Sequence, residues 1–321
     1  MGPMPYSRYI LYPIPWYSFL IVLGACVAVF LACREEKRAG LPKDTVIDLA
    51  LRVIPAGIIG ARIYYVIFSW DQFKDDLLSV FRIWEGGIAI YGALIAGLIA
   101  LILFARRRKL SPLLLCDLLA PGLAFAQGIG RWGNYFNMEA YGLPVTNPAL
   151  CFFPLAVQIP SGSVTRWHLA TFFYESVWDL SVFLFLMLAR RKLLRKQGDP
   201  FLFYVFLYAG GRLVVEDLRM DSLYSSSIRV SQLLSVLLCV FILLYYIFQA
   251  RKEGRSLPAA VRFVLLPAAG LYSVFAFLLT VSAATFRPVF SVRYRILLLC
   301  GYSALMIICL FAVRFAKARE S

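Results

Sequence analysis

Long apolar runs, separated by short polar segments, make up most of this chain. Runs of about 18 or more apolar residues are typical of helices that cross a bilayer. The pattern predicts nine such helices, at 16–33, 46–69, 86–105, 112–130, 169–189, 200–218, 230–249, 262–284 and 294–315. The predicted fold class is therefore an all-α, polytopic helical bundle in a membrane.

The composition agrees with this fold class. Of the 321 residues, 61% are hydrophobic and 16% are charged, whereas a soluble domain is about 25% charged. The seven cysteines form no C-x-x-C pair and His168 is the single histidine, so we predict no disulfide framework, metal site or cofactor. The leader before Tyr17 lacks a basic region and a cleavage site, which favours a retained first span over a removed signal peptide.

Positive charge is concentrated on one side of the predicted bundle. The formal net charge is +15, and 20 of the 33 Lys and Arg residues lie in the connections after odd-numbered runs and in the tail. By the positive-inside rule, the N-terminus is outside and the C-terminus is cytoplasmic. These basic clusters lie between apolar runs and are typical of anchors beside anionic lipid, so nucleic acid is not predicted as a partner.

The segment GIGRWGNYFNMEAYG, residues 128–142, places many hydrogen-bonding side chains at the end of an apolar run. In the predicted orientation it begins at the outer membrane face and opens the longest connection, 131–168. A connection of this length can cover a site. Its polar members are Arg131, Asn134, Asn137 and Glu139.

A polar stripe follows the sixth apolar run. Its members stand at i, i+4, i+8 and i+11, within roughly 80° of arc on a helix: Tyr208, Arg212, Glu216 and Arg219. One interpretation is an Arg212–Glu216 ion pair that only satisfies itself. Charged groups at membrane depth are costly and usually face a cavity or the protein interior, so four such residues favour a functional pocket. Gly210 and Gly211 permit close helix approach there.

Further polar residues in or beside the predicted spans are candidates: Tyr17, Arg62, Glu85, Tyr91, Tyr174, Glu175 and Asp179. For Tyr17 and Tyr91 the alternative is a place in the aromatic belt at the membrane interface. His168 is interpreted as a hydrogen-bonded interfacial residue rather than a base. Arg131 and Arg212 lie towards the same outer side, and the planar fork of arginine suits phosphate. The residues thus predict an outward-facing, arginine-lined pocket for a phospholipid head group, but they do not name a reaction.

Several spaced blocks resemble one protein family. GRWGNYFNMEAYG closely resembles the G-R-x-G-N-[FY]-x-N-x-E signature of bacterial prolipoprotein diacylglyceryl transferases. Three blocks before it and three after it also match, in the family's order along the chain: PWYSF, GARIYYVIFSW and WEGGIAIYGALIAG, then HLATFFYES, YAGGRLVVEDLRMDS and IRVSQLLS. The resemblance covers roughly residues 10–250, and the predicted N-outside orientation agrees with that family.

The resemblance implies a transferase of the bacterial cell membrane with its site toward the outer face. Such an enzyme takes phosphatidylglycerol and a prolipoprotein whose signal peptide carries a lipobox cysteine. The cysteine sulfur attacks the glycerol carbon that bears the head-group phosphate. A thioether-linked diacylglyceryl group forms, and glycerol phosphate leaves.

The resemblance also implies roles for individual residues. Arg131 and Arg212 would bind the phosphate and stabilise the leaving group. Glu216 would position Arg212, and Glu139 would hold Arg131 or receive a proton. Four further residues would line the head-group site: Tyr17, Asn134, Asn137 and Tyr208.

Two features depart from the family. Many members have H-G-G where this chain has Tyr91–Ala93, so the base for the thiol is open between Tyr91, Glu216 and the lipid phosphate. Members usually end after about seven spans, and we therefore expect a core over 1–254 and an accessory two-span extension over 255–321.

Non-enzymatic functions are the alternative. A polytopic phospholipid-binding or lipid-transport protein could have a similar pocket without transferase activity. Transporters often contain inverted repeats, and the sequence shows no internal repeat. The joint presence of Arg131, Asn134, Glu139 and Arg212 favours the enzyme.

Overall fold

The computed structural model describes residues 7–161, 164–220, 224–225, 228–281 and 292–316. Within these ranges, nine α-helices occupy the predicted runs. A π-helical turn at Val261–Leu265 leads into the eighth, and residues 282–284 of that predicted span lie outside the described part. The helices are α1 Trp16–Glu36, α2 Thr45–Phe68, α3 Ile90–Arg108, α4 Pro112–Asn137, α5 Thr171–Ala189, α6 Asp199–Leu218, α7 Val230–Lys252, α8 Leu266–Val281 and α9 Val292–Arg314.

Seven of the described helices are long and apolar enough to cross a bilayer: α1, α3, α4, α5, α7, α8 with its π-helical turn, and α9. Helices α2 and α6 are outside this set and contain buried ionic side chains, among them Arg62 and Glu216. The protein is thus a multi-pass membrane protein, as predicted. Crossing of the bilayer by α2 and α6 stays a prediction.

Helix α6 lies within the larger hydrophobic core. Its buried side chains, including Phe203, Phe206 and Leu213, belong to one hydrophobic cluster with residues of α4, α5, α7, α8 and α9. A second core joins α1, α2, α3 and α4. Because α4 contributes to both cores, it connects the two halves of the bundle and contacts α5 and α6 along the way.

The signature segment is helical, which corrects the predicted loop opening at residue 131. Helix α4 continues to Asn137 and ends at Met138, which has left-handed backbone angles (φ 54°, ψ 43°). The amides of Met138 and Glu139 donate to the carbonyls of Tyr135 (3.1 Å) and Asn134 (3.0 Å), a hydrogen-bonded helix end. Arg131, Asn134 and Asn137 therefore stand on the last two turns of α4, and Glu139 follows the helix end.

Among the described residues, three small antiparallel hairpins add to the all-α fold: β1–β2, β3–β4 and β5–β6. Their strands are β1 Tyr9–Leu11, β2 Ile14–Pro15, β3 Ala156–Ser161, β4 Val164–Leu169, β5 Tyr224–Ser225 and β6 Ile228–Arg229. His168 lies in β4 and not at the start of a helix. Its Nδ1 is 2.9 Å from the Gly142 carbonyl, so it is hydrogen-bonded and buried, as its sequence interpretation expected.

Candidate active site

Glu175 of α5 joins three arginines at one end of the bundle. Its Oε2 lies 2.9 Å from Arg131 Nε and 3.8 Å from Arg219 Nη1, and its Oε1 accepts from Arg212 Nη1. The side chain is only 5% exposed. A single buried carboxylate thus connects the end of α4 with the end of α6.

Two further carboxylates complete this cluster. Glu216 Oε2 lies 2.5 Å from Arg212 Nη2, one helical turn away, and Asp179 Oδ2 lies 4.0 Å from Arg131 Nε. The ion pair on which the predicted positioning of Arg212 by Glu216 depends is present, and the positioning role stays a prediction. Buried charges are tolerated when they are paired, and these carboxylates lie against the guanidinium groups of Arg131 and Arg212.

Close packing of α5 on α6 brings the two sides of the cluster together. A Cβ atom on Gly211 would lie 2.8 Å from Cε2 of Trp178, so only glycine admits the indole there. Trp178 Nε1 donates to the Leu207 carbonyl at 2.9 Å. Glu175 stands three residues before Trp178, on the same face of α5, and therefore meets Arg212 beside this contact.

Tyr17 and Tyr208 lie within electrostatic range of the Arg131 guanidinium. Tyr17 packs on Gly133, where an added Cβ would lie 2.7 Å from Tyr17 Cδ2. Tyr208 stacks on Tyr204 with 6.2 Å between ring centroids. Both predicted tyrosines thus lie at the cluster, one reached from α1 and the other from α6.

Glu139 holds the two asparagines of the signature rather than Arg131. Its Oε1 accepts from Asn134 Nδ2 (2.8 Å) and Asn137 Nδ2 (3.3 Å), and Asn137 Oδ1 accepts from Arg8 Nε (3.2 Å). The described carboxylate partners of Arg131 are Glu175 and Asp179. Because α4 runs on to Asn137, Glu139 follows the helix end and folds back over its last turn.

Tyr91 lies on the other half of the bundle. It stands in the first turn of α3 and its ring centroid is 6.4 Å from that of Tyr64 in α2. The contacts of the described residues do not bring it into the arginine cluster. Tyr91 could therefore act in catalysis only if bound substrate extends from α3 to the arginine cluster.

Arg62 organises the connection before Tyr91. Its buried guanidinium donates to the carbonyls of Ser79, Val80, Gly86 and Gly87 at 2.6–2.8 Å. It also lies 5.0 Å from the Phe73 ring centroid. This arginine is engaged by backbone carbonyls, and its part is to hold the α2–α3 connection.

Glu175 and Asp179 belong to the cluster, but the sequence alone assigns neither of them a role. Both are visible in TFFYESVWDL as two acids four residues apart in an apolar run. That spacing places them on one helix face. Two acids on one face of a membrane helix indicate cationic partners on its neighbours, and this signal could have paired α5 with Arg131 and Arg212.

The fold and the site define a class: a multi-pass membrane protein with a buried arginine–carboxylate cluster at one end of its bundle. The sequence model of the prolipoprotein diacylglyceryl transferase family matches residues 6–248. The chain therefore belongs to the prolipoprotein diacylglyceryl transferase family and is a transferase.

Similar proteins named phosphatidylglycerol–prolipoprotein diacylglyceryl transferase support this assignment. The one from Limosilactobacillus reuteri is 44% identical over 249 residues, which are 75% of this chain and 89% of the relative. The one from Streptococcus agalactiae is 41% identical over 246 residues, 76% of this chain and 95% of the relative. The one from Streptococcus equi subsp. zooepidemicus is 43% identical over 244 residues, 75% and 93% respectively.

Proposed function

We propose that this chain transfers the diacylglyceryl group of phosphatidylglycerol to the lipobox cysteine thiol of prolipoprotein signal peptides. This is the first step of lipoprotein maturation in the bacterial cell membrane. The names of the relatives support the two substrates. The arginine cluster supports the chemistry, because it supplies what an anionic phospholipid head group requires.

The pairing of Arg131 and Arg212 through Glu175 is the observation that carries this proposal. Their guanidinium groups come from different helices and share one carboxylate. Within the described residues, the ion pairs of Arg131 use its Nε, which leaves its Nη1 and Nη2 donors to a ligand. Paired N–H donors of this kind suit the oxygens of a phosphate.

The reaction then needs stabilisation of a leaving anion. The thiolate sulfur forms a bond to the glycerol carbon while the bond from that carbon to the phosphate oxygen breaks. Glycerol phosphate leaves with the electron pair of the broken bond. Fixed positive groups aimed at this developing charge act strongly in a site that excludes water, and the buried Arg131–Glu175–Arg212 arrangement holds such groups in place before substrate arrives.

The thiol must also lose its proton, because the thiolate is the nucleophile. Glu216 is poorly suited, since its carboxylate lies 2.5 Å from Arg212 Nη2 and is engaged in that ion pair. The Tyr91 hydroxyl makes no hydrogen bond to the residues that the structure describes, which leaves it open to a bound substrate. We assign Tyr91 to the proton transfer and the leaving phosphate as the final acceptor.

The proposed orientation places this cluster at the outer face. Basic residues gather at the opposite end of the bundle, where Glu35 of α1 pairs with Arg190 (3.0 Å) and Arg191 (2.8 Å) after α5. The end of α3 adds a run of arginines on that side. The positive-inside rule favours that end as cytoplasmic, and the cluster lies at the other ends of α4, α5 and α6.

An assay with purified protein, phosphatidylglycerol and a lipobox peptide tests the proposal. We expect release of glycerol phosphate in equal amount to diacylglyceryl-modified peptide. A peptide with serine in place of the lipobox cysteine should give none. Binding of phosphatidylglycerol without any release, under conditions where another family member is active, would support the lipid-binding alternative instead.

A further inference from the structure

Helix α9 is hydrogen-bonded to α6 at three levels. Near the cluster, Arg295 Nε donates to Asp217 Oδ2 at 3.1 Å. In the middle, Ser303 Oγ donates to the Gly210 carbonyl at 3.0 Å. At the far end, Arg314 Nε donates to Asp199 Oδ2 at 2.9 Å.

Two of these contacts share one antiparallel register, and the third is offset from it by one residue, because eight residues separate Arg295 from Ser303 and seven separate Gly210 from Asp217. Eleven residues separate Ser303 from Arg314 on α9, and eleven separate Gly210 from Asp199 on α6. Both aspartates are buried, with exposures of 2% for Asp217 and 4% for Asp199. Removal of one partner from a buried ion pair is strongly unfavourable, so the register fixes how far α6 can slide along the bundle.

The contacts lie directly behind the site residues of α6. Gly210 precedes Arg212 by two residues and is about 200° away around the helix, so it faces α9 while Arg212 faces Glu175 of α5. Asp217 immediately follows Glu216. Helix α9 therefore supports α6 from the side opposite to the cluster.

We propose that α9 is a positioning element of the active site. By fixing the axial position of α6, it sets the place of Arg212 and Glu216 against Arg131 and Glu175. The inference rests on the proposed transfer reaction. It assigns the region after residue 254 a role in positioning the site, which an accessory extension would not have. Helix α9 lies wholly outside residues 6–248, which the family model matches.

Arg295 offers the sharpest test, because a matched control stands two residues away. Arg293 carries the same charge and is exposed, whereas Arg295 is bound to Asp217. A displacement of about 1 Å at a catalytic group can cost about a hundredfold in rate. We therefore expect Arg295→Gln to lower kcat by about tenfold or more, with an unchanged KM for the lipobox peptide.

The experiment uses the full chain in lipid nanodiscs. It compares wild type, Arg295→Gln, Arg295→Lys and Arg293→Gln in glycerol phosphate release and in amide hydrogen exchange over residues 210–218. We expect Arg295→Gln to lose rate and to exchange faster in that segment. Arg295→Lys should recover most of both, because it keeps a cation beside Asp217, and Arg293→Gln should match wild type.

The outcomes separate the two proposals. An inactive wild type contradicts the proposed function, while faster exchange in Arg295→Gln alone would still support the α9 contact. An active wild type with Arg295→Gln equal to Arg293→Gln in rate and exchange overturns the inference. Should Arg295→Gln fail to fold, Ser303→Ala takes its place. This change removes one neutral hydrogen bond and should still slow glycerol phosphate release severalfold. An unchanged release rate would overturn the inference.

Discussion

At the scale of single residues, the shared carboxylate decides what the arginines can do. Arg131, Arg212 and Arg219 all approach Glu175, so one side chain sets the spacing between the proposed phosphate-binding groups on two helices. Neither arginine of the candidate site depends on a flexible surface partner. This is the preorganisation that charge stabilisation in a transition state requires.

Replacement of Glu175 should therefore damage both stability and activity. Glu175→Gln keeps the shape but leaves three guanidinium groups with one counter-charge fewer, and loss of one member of a buried ion pair costs about 3–5 kcal/mol. We expect a lower unfolding temperature and release of glycerol phosphate reduced to background. Glu253→Gln, an exposed acid paired with Lys196, is the control. Wild-type stability and rate in Glu175→Gln would contradict this role.

Tyr91→Phe tests the proton transfer. The change removes one hydroxyl and keeps the ring that packs against Tyr64, so the fold should persist. Loss of a positioned acid–base group costs about a hundredfold or more. We expect kcat to fall by about that factor while binding of phosphatidylglycerol stays unchanged. An unchanged kcat would remove Tyr91 from the reaction and leave the lipid phosphate as the base.

Part of this site was predictable from the sequence. Arg131 and Arg212 are conspicuous because arginine is costly at membrane depth, and Glu216 follows Arg212 at the spacing of one helical turn. The partner of Glu139 was not predictable, because it depends on where α4 ends. Glu175 lacked a role because its partners lie on other helices and are brought together only by packing.

At the scale of elements, two adjacent glycines on α6 each lie in a different helix contact, Gly211 against α5 and Gly210 against α9. An added Cβ on Gly211 would lie 2.8 Å from Trp178 Cε2, whereas on Gly210 the nearest atoms, Cβ and Oγ of Ser303, are 3.8 Å away. Gly211 thus serves the approach of α5. Gly210 serves that of α9 and has room for a methyl group.

The two positions give a matched pair of substitutions. Gly211→Ala forces the indole of Trp178 to move, and overpacking of this kind costs about 1–3 kcal/mol. We expect lower stability and slower glycerol phosphate release. Gly210→Ala should be neutral or stabilising, since alanine is favoured over glycine in a helix by about 1 kcal/mol. Equal thermal unfolding temperatures for the two variants would contradict the assigned packing.

The end of α4 shows why element boundaries escaped prediction. Polarity and glycines rise after residue 130, which predicted a loop. In the bundle, these polar side chains have partners on α5: Trp132 Nε1 donates a hydrogen bond to Ser176 Oγ (3.1 Å), and Arg131 forms an ion pair with Glu175. The helix therefore continues for seven residues beyond the predicted boundary at 130.

At the scale of the whole molecule, hydropathy placed the nine described helices correctly along the chain. Their arrangement required tertiary information, because apolar faces of membrane helices do not specify their neighbours. The contact between α9 and α6 depends on Arg295, Ser303 and Arg314, three polar residues in a run of 23. The sequence alone predicts that this run belongs to an accessory extension, and its part in positioning α6 is the proposal made above.

Orientation in the membrane is a prediction at this scale. Thr146→Cys lies in the exposed part of the connection after α4, and Arg107→Cys lies at the exposed basic end of α3. In intact cells, with the native cysteines replaced by alanine, a membrane-impermeant maleimide should label the first and not the second. The reverse pattern would show that the N-terminus is cytoplasmic and that the cluster faces inward.

The central claim is that Arg131 and Arg212 together stabilise the departing phosphate. It is tested most directly by single-turnover release of glycerol phosphate in wild type, Arg131→Ala and Arg212→Ala, each confirmed to be inserted and folded. Loss of one preorganised donor costs about 10²–10³ in rate. We predict a fall of at least that size in each variant. Wild-type release rates in both variants would contradict the account.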